Sequence, residues 1–187
     1  MSKIRVVHYI NQFFAGVGGE EQAHIAPELR KELPPISTQL QGKLGEDFEV
    51  VATVVCGDSY FNENLESVQK ELLEMIKGCE PQLFIAGPAF NAGRYGVAAG
   101  TITKAVQDEL HIPAVTAMYE ENPGTDMFKK DVYILETSDS AAGMRKALPK
   151  LAKFAAKLAK GEEILSPKEE GYHQRGLRVN FFSETRG

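Results

Sequence analysis

Tryptophan is absent from the 187 residues, and there are only two cysteines, Cys56 and Cys79. They lie far apart and form no CxxC, which excludes a disulfide scaffold and a dithiol redox pair. Free thiols fit a cytoplasmic protein. Basic charge is also short. The 21 Lys and Arg against 26 Asp and Glu leave a net charge of −5, the wrong sign for nucleic-acid phosphates. No apolar run is long enough to cross a bilayer. The first residues enter a strand-like segment with no signal-peptide apolar region. His8, His24, His111 and His173 have no metal-ligand spacing, so no metal is expected. P-loop, GxGxxG and Ser-His-Asp patterns are missing as well.

What is present is a hydrophobic fraction of 43% arranged as alternating strand and helix patterns. Strands are expected at Arg5–Ile10, Glu49–Cys56, Gln82–Ile85, Ala114–Met118 and Asp131–Glu136. The valine-rich second strand reads as buried on both faces of a parallel sheet. Between the strands, Leu65, Val68, Leu72, Met75 and Ile76 recur at helical spacing, with Asn62 or Asn64 as cap and Gly78 as stop. Thr101 to Leu110 gives a second helix, with Ile102, Ala105, Val106 and Leu110 on its apolar face. A third runs past Ser138–Ser140, where Pro149 should kink or divide it. The stretch from His24 to Gly45 lacks a clear period; a helix over Glu28–Leu33 would stop before the Pro pair. The expected fold is α/β, a doubly wound parallel sheet of about five strands. It is a flavodoxin-like three-layer sandwich with strand order 2-1-3-4-5. Residues 1–160 read as the α/β substrate-binding domain. Residues 161–187 read as a C-terminal extension or the start of a following region, with Arg178–Phe182 as a possible extra strand.

In such sheets, ligands bind in the turns at the carboxyl ends of strands. The central turn is Ala86 to Gly100, built of small residues and carrying one arginine, Arg94. The turn after the first strand is also glycine-rich, and the N–H groups of Gly16, Gly18 and Gly19 suit an anion. The turns after the first four strands should share one edge of the sheet. Cys56 reads either as a thiol activated near a helix start or as a buried core cysteine.

Six blocks in one order carry a family resemblance. They are VVHYINQFFAGVGGEE (residues 6–21), VVCGDSYFNEN (54–64), FIAGPAFNAGRYGVAAG (84–100), MYEENPG (118–124), SAAGMRKALPK (140–150) and GYHQRGLRVN (171–180). The chain resembles the substrate-specific component, protein B, of the glycine/sarcosine/betaine reductases, over nearly its whole length. The resemblance implies reductive cleavage of a substrate C–N bond, with a carboxymethyl group passed to a selenoprotein A and electrons from thioredoxin. It implies a selenocysteine well downstream of the matched part, and a pyruvoyl group on partner subunits. No cofactor is then expected in this chain itself. Lys31 to Phe48 departs from the family's usual connection.

All three substrates of that family carry a carboxylate. Arg94 is thus a candidate for a two-pronged carboxylate contact, assisted by Asn91 and the backbone of Gly93 to Gly96. A surface salt bridge is the alternative. Tyr60, Tyr95 and Tyr119, with Phe61 and Phe90, fall in turns after strands. They suit a methylated ammonium by cation–π attraction, or else are packing residues. The resemblance favours a soluble substrate-binding part of an enzyme complex, with other reductase subunits as partners and a homo-oligomer possible. Two alternatives stay open. One is a non-catalytic module that binds a small molecule or a subunit. The other is a flavin- or nucleotide-binding protein, by fold analogy alone.

Overall fold

The structure is a computed structural model, and it describes residues 2–175. Strand β1 spans Ile4–Asn11, β2 Glu28–Arg30, and helix α1 Pro35–Leu44. Then come β3 (Phe48–Cys56), α2 (Asp58–Glu63), α3 (Leu65–Gly78), β4 (Leu83–Ala86) and α4 (Gly93–Leu110). β5 (Ala114–Met118), α5 (Pro123–Phe128), β6 (Tyr133–Glu136), α6 (Met144–Ala159) and α7 (Pro167–Glu170) complete the order.

The sheet runs β2-β3-β1-β4-β5-β6. Every pair is parallel except β2 with β3. Leaving β2 aside, this is the expected 2-1-3-4-5 order. Alternation along β1 divides the core between the two faces. Val7 and Tyr9 pack with Val54, Phe61, Leu72, Tyr95 and Ile102, beneath α2, α3 and α4. Val6 and Ile10 pack with Leu40, Val55, Leu148 and Leu151, beneath α1 and α6. The result is a three-layer sandwich. No helix among the described residues is long and apolar enough to cross a membrane.

Several local expectations need correction. There are six strands, not five, because Glu28–Arg30 pairs antiparallel with Thr53–Val55 instead of starting a helix. The Pro pair opens helix α1 rather than stopping one, with Pro34 as N-cap and Pro35 in the first turn, where a missing N–H costs nothing. The segment after β3 is a short helix, α2, rather than a turn. Pro149 does not divide α6, which runs on as one helix past it; its missing N–H removes one intrahelical bond there. Arg178–Phe182 lies outside the described residues.

Helix α4 begins at Gly93, not at Thr101. Three glycines lower its intrinsic propensity, yet packing explains two of them. A Cβ on Gly96 would lie 2.1 Å from Asn122 Oδ1, and one on Gly100 would lie 2.2 Å from Phe128. Asn122 donates to the carbonyls of Phe90 and Ala92 at 2.9 and 3.1 Å, and caps α5 through Gly124 N at 2.9 Å. The small residues therefore let α4 rest directly on α5, which holds the loop before α4 in place.

His8 performs a similar service on the other face. One ring nitrogen is 2.8 Å from Ser37 Oγ on α1, and the other is 2.8 Å from the Gly87 carbonyl. Thr53 donates to Ser37 at 2.8 Å. Full burial lowers the His8 pKa from 6.5 to about 4, only partly offset by its bond to Gly87, so the ring is neutral at pH 7.

Candidate active-site cleft

Parallel strands bring their carboxyl ends together, and the chain departs from β1 in opposite directions toward β3 and β4. That switch point is where open α/β sheets bind ligands. A cleft of about 330 Å³ lies there, lined by Asn11 to Phe14 after β1, Asp58 after β3, Ala89 to Ala92 before α4, and Tyr95 within it. Glu20 and residues 139–141 close its rim. Three of the expected turns thus meet at one edge. The fourth, after β5, joins them through Tyr119, whose N–H donates to the Phe90 carbonyl at 2.9 Å.

The cleft floor is polar and incompletely paired. Asp58 is 8% exposed. Its Oδ2 accepts from Asn11 Nδ2 at 2.9 Å, and its backbone N–H donates to Gln12 Oε1 at 3.0 Å. Its Oδ1 has no partner, and neither do the buried hydroxyls of Tyr9 and Tyr95. Native proteins leave few buried polar atoms unpaired. Burial raises the Asp58 pKa from 3.8 to about 6, opposed by the Asn11 bond and the Arg94 charge. Burial is also the main cause that raises Tyr9 and Tyr95 well above 10, and neither phenol ionises near neutral pH.

The structure brings Asn91 and Tyr95 into this cleft. Arg94 sits beside it. Its guanidinium donates to Ser59 Oγ at 2.5 Å and pairs with the carboxylate of Glu20. Gly93 opens α4 near Pro123, and Gly96 faces Asn122 rather than open space. Tyr60 and Tyr119 are half-buried and outside the lining. In the first loop, Gly16 N–H bonds to the Phe13 carbonyl at 3.0 Å and Gly18 N–H to the Gln12 carbonyl at 3.4 Å. Gly19 N–H bonds to the Glu21 carboxylate at 3.0 Å. The N–H groups of Ser59 and Tyr60 are taken by the Ala23 carbonyl. The first three N–H groups of α4 have no partner within their own helix, and no side chain caps it.

Cys56 lies behind the floor in the core. Burial first, then the charge of Asp58, pushes its thiol up to about 12. It is a packing residue rather than a nucleophile at neutral pH. Among the described residues, no three His, Cys, Asp or Glu side chains group to hold a metal ion. A roomier groove of about 710 Å³ runs between α3 and α4, lined by Glu66, Lys70, Lys104 and Asp108 among others. Asp58, Tyr9 and Tyr95 are not among its lining residues.

Sequence reasoning did not single out Asp58, Tyr9, Asn11 or Gln12. A single acid after a strand has no pattern; only its place next to the Cys56-Gly57 end of a valine-rich strand marks it.

Residues 3–187 match the family described as glycine/sarcosine/betaine reductase selenoprotein B. This chain belongs to that family. It is 73% identical over its whole length to the glycine reductase complex component B subunit gamma of Peptoclostridium litorale. It is 59% identical over its whole length to the sarcosine reductase complex component B subunit beta of Peptoclostridium acidaminophilum. Over 96% of its length it is 39% identical to the betaine reductase complex component B subunit beta of the same organism. The chain spans 41–43% of the length of these curated selenoprotein B relatives. No solved structure matches it.

Proposed function

We propose that this chain is the N-terminal, substrate-binding portion of component B of a glycine, sarcosine or betaine reductase. The reaction cleaves the substrate C–N bond reductively and hands a carboxymethyl group to a selenoprotein A partner. Selenocysteine, in a part of the component outside this chain, supplies the nucleophile, and a pyruvoyl group belongs to partner subunits. This chain holds no cofactor of its own. Its residues bind and orient the substrate, in the cytoplasm, within an assembly of reductase subunits. The observation that supports this reading is the cleft at the switch point, floored by polar atoms without partners, in a chain of this family. The substrate carboxylate falls to Arg94 and to the free N–H groups that open α4, with Asn91 beside them.

The test is amine release by the complex reconstituted around the full-length component, given glycine, sarcosine and betaine in turn with a dithiol reductant. One of the three should yield its amine. Ala141→Trp, at an exposed position of the rim, fills the cleft without touching the core and should raise KM strongly. Release from none of the substrates, or release indifferent to Ala141→Trp, overturns the proposal.

A further inference from the structure

The lining of the cleft is one-sided in charge. Asp58, Glu20 and Asp139 belong to it, and among the described residues that line it none is lysine or arginine. Arg94, the nearest guanidinium named above, is turned to Glu20 and Ser59 at the side. Of the three unpaired buried atoms, two belong to lining residues, the carboxylate oxygen of Asp58 and the phenol oxygen of Tyr95. A carboxylate oxygen only accepts hydrogen bonds, and a phenol oxygen accepts as well as donates. An anion placed there would meet the charge of Asp58. A protonated amine offers only donors and carries the compensating charge. Phe13, Phe14, Phe90 and Tyr95 supply aromatic surface around the same space, and Phe13 is 59% exposed at its mouth. Aromatic rings attract ammonium groups, including quaternary ones that have no N–H to give.

We propose that the floor of this cleft seats the cationic nitrogen of the substrate, with Asp58 Oδ1 and the Tyr95 hydroxyl facing it and the aromatic side chains around it. This rests on the substrate-binding reading above and adds an orientation to it. The nitrogen points down toward Asp58, and the carboxylate points up toward Arg94 and the start of α4. Asp58 and Tyr95 are then specificity-determining residues that distinguish an amine from a neutral group of the same size. Burial raises the proton affinity of Asp58 despite the nearby Arg94 charge, and a cation at the floor would favour its ionised form.

The experiment uses the assembled complex with the full-length component, and calorimetric titration. The ligands are the substrate that the complex turns over, glycolate, which keeps the carboxylate but has a hydroxyl for the nitrogen, and methylammonium. Asp58→Asn keeps an oxygen for Asn11 and removes the charge. It should raise Kd for the amine substrate by about ten-fold or more, the scale of one lost charge-assisted contact, and abolish methylammonium binding. Glycolate affinity should stay within about two-fold, because its carboxylate contacts are untouched. Tyr95→Phe removes only the hydroxyl, and should show the same pattern at smaller size. Equal losses for glycolate and the amine substrate, or unchanged amine affinity in both variants, would overturn the proposal. Methylammonium separates this idea from the reductase reading, since its binding needs no turnover. Binding that depends on Asp58 without amine release removes the reductase reading and keeps the seat. Amine release insensitive to both substitutions does the reverse.

Discussion

Asp58 and His8 are both buried, and their titrations act on stability with opposite signs. The Asp58 pKa is raised from 3.8 to about 6 by burial, while Asn11, Arg94 and Gln12 pull it down and Glu20 pushes it up. The fold therefore favours the protonated acid, and that contribution is full below pH 3.8 and lost as pH rises through about 6. The His8 pKa is lowered from 6.5 to about 4. The fold favours neutral imidazole, so its contribution is full above pH 6.5 and lost as pH falls toward about 4. The two trends offset each other between these values. Asp58→Asn should raise stability at pH 7 by on the order of 1–3 kcal/mol. It should also steepen the loss on acidification, by exposing the His8 term alone. Denaturant midpoints across that pH range measure both, and a variant less stable than wild type at pH 7 would refute the account.

The pair beside the cleft gives a second prediction at this scale. The Glu20 carboxylate already occupies one prong of Arg94, the guanidinium that the proposed function assigns to a substrate carboxylate. Glu20 is 72% exposed, so it holds Arg94 by no more than about 1 kcal/mol. Glu20→Gln should therefore tighten substrate binding a few-fold. Arg94→Lys should weaken it by about 1.5–3 kcal/mol, alike for glycine, sarcosine and betaine. Equilibrium dialysis on the full-length component distinguishes these outcomes from an Arg94 that serves only as a surface ion pair, for which neither variant changes affinity.

Among the elements, α4 shows what sequence could and could not convey. Its apolar face from Ile102 onward is readable from spacing alone. Its first two turns were not, because Gly93, Gly96 and Gly100 resemble a flexible loop when their neighbours in space are unknown. The partners that require glycine at 96 and 100, Asn122 and Phe128, come from a distant stretch of chain. Likewise, β3 and β5 were legible as apolar runs, whereas β2 has three residues and exists only because β3 has an open side. For the cleft, Asn91 and Tyr95 were legible from their place in a turn after a strand. Asp58 was not, since its meaning depends on burial and a missing partner. Gly96→Ala tests the packing argument directly. The added methyl must displace Asn122, which joins α4, α5 and the Phe90 loop, so a loss of about 1–3 kcal/mol is expected. Gly42→Ala, in α1 with open space at its Cβ, should instead stabilise by up to about 1 kcal/mol. Thermal melts of the two variants, run together, check the contrast.

At the scale of the whole molecule, the described residues after α6, 160–175, are part of the body. Tyr172 stacks edge-on to Tyr133 at 4.9 Å and packs on Phe154 at 5.7 Å between ring centres. Its hydroxyl donates to the Leu165 carbonyl at 2.8 Å. Glu170 is pinned by the ammonium of Lys157 at 2.5 Å. Tyr172→Ala should therefore cost about 2–4 kcal/mol, and a melting temperature unchanged by it would show this segment to be a loose appendage.

The same segment has a consequence for how this protein meets its neighbours. Tyr172 bridges antiparallel to Leu135, Glu136 N–H donates to the Gly171 carbonyl, and His173 N–H donates to Ile134. The outer side of β6 is thereby occupied by the chain itself. At the opposite margin, β2 is only three residues long, and Glu28 and Arg30 pair with each other across it. Short, charged margins discourage another backbone from adding on. Among the described residues, addition of another backbone is thus disfavoured at both margins of the sheet. Among the described residues, the surface left to a neighbouring protein is made of helix faces and the loops around the cleft mouth, so a neighbour could close over the cleft without disturbing the sheet beneath it.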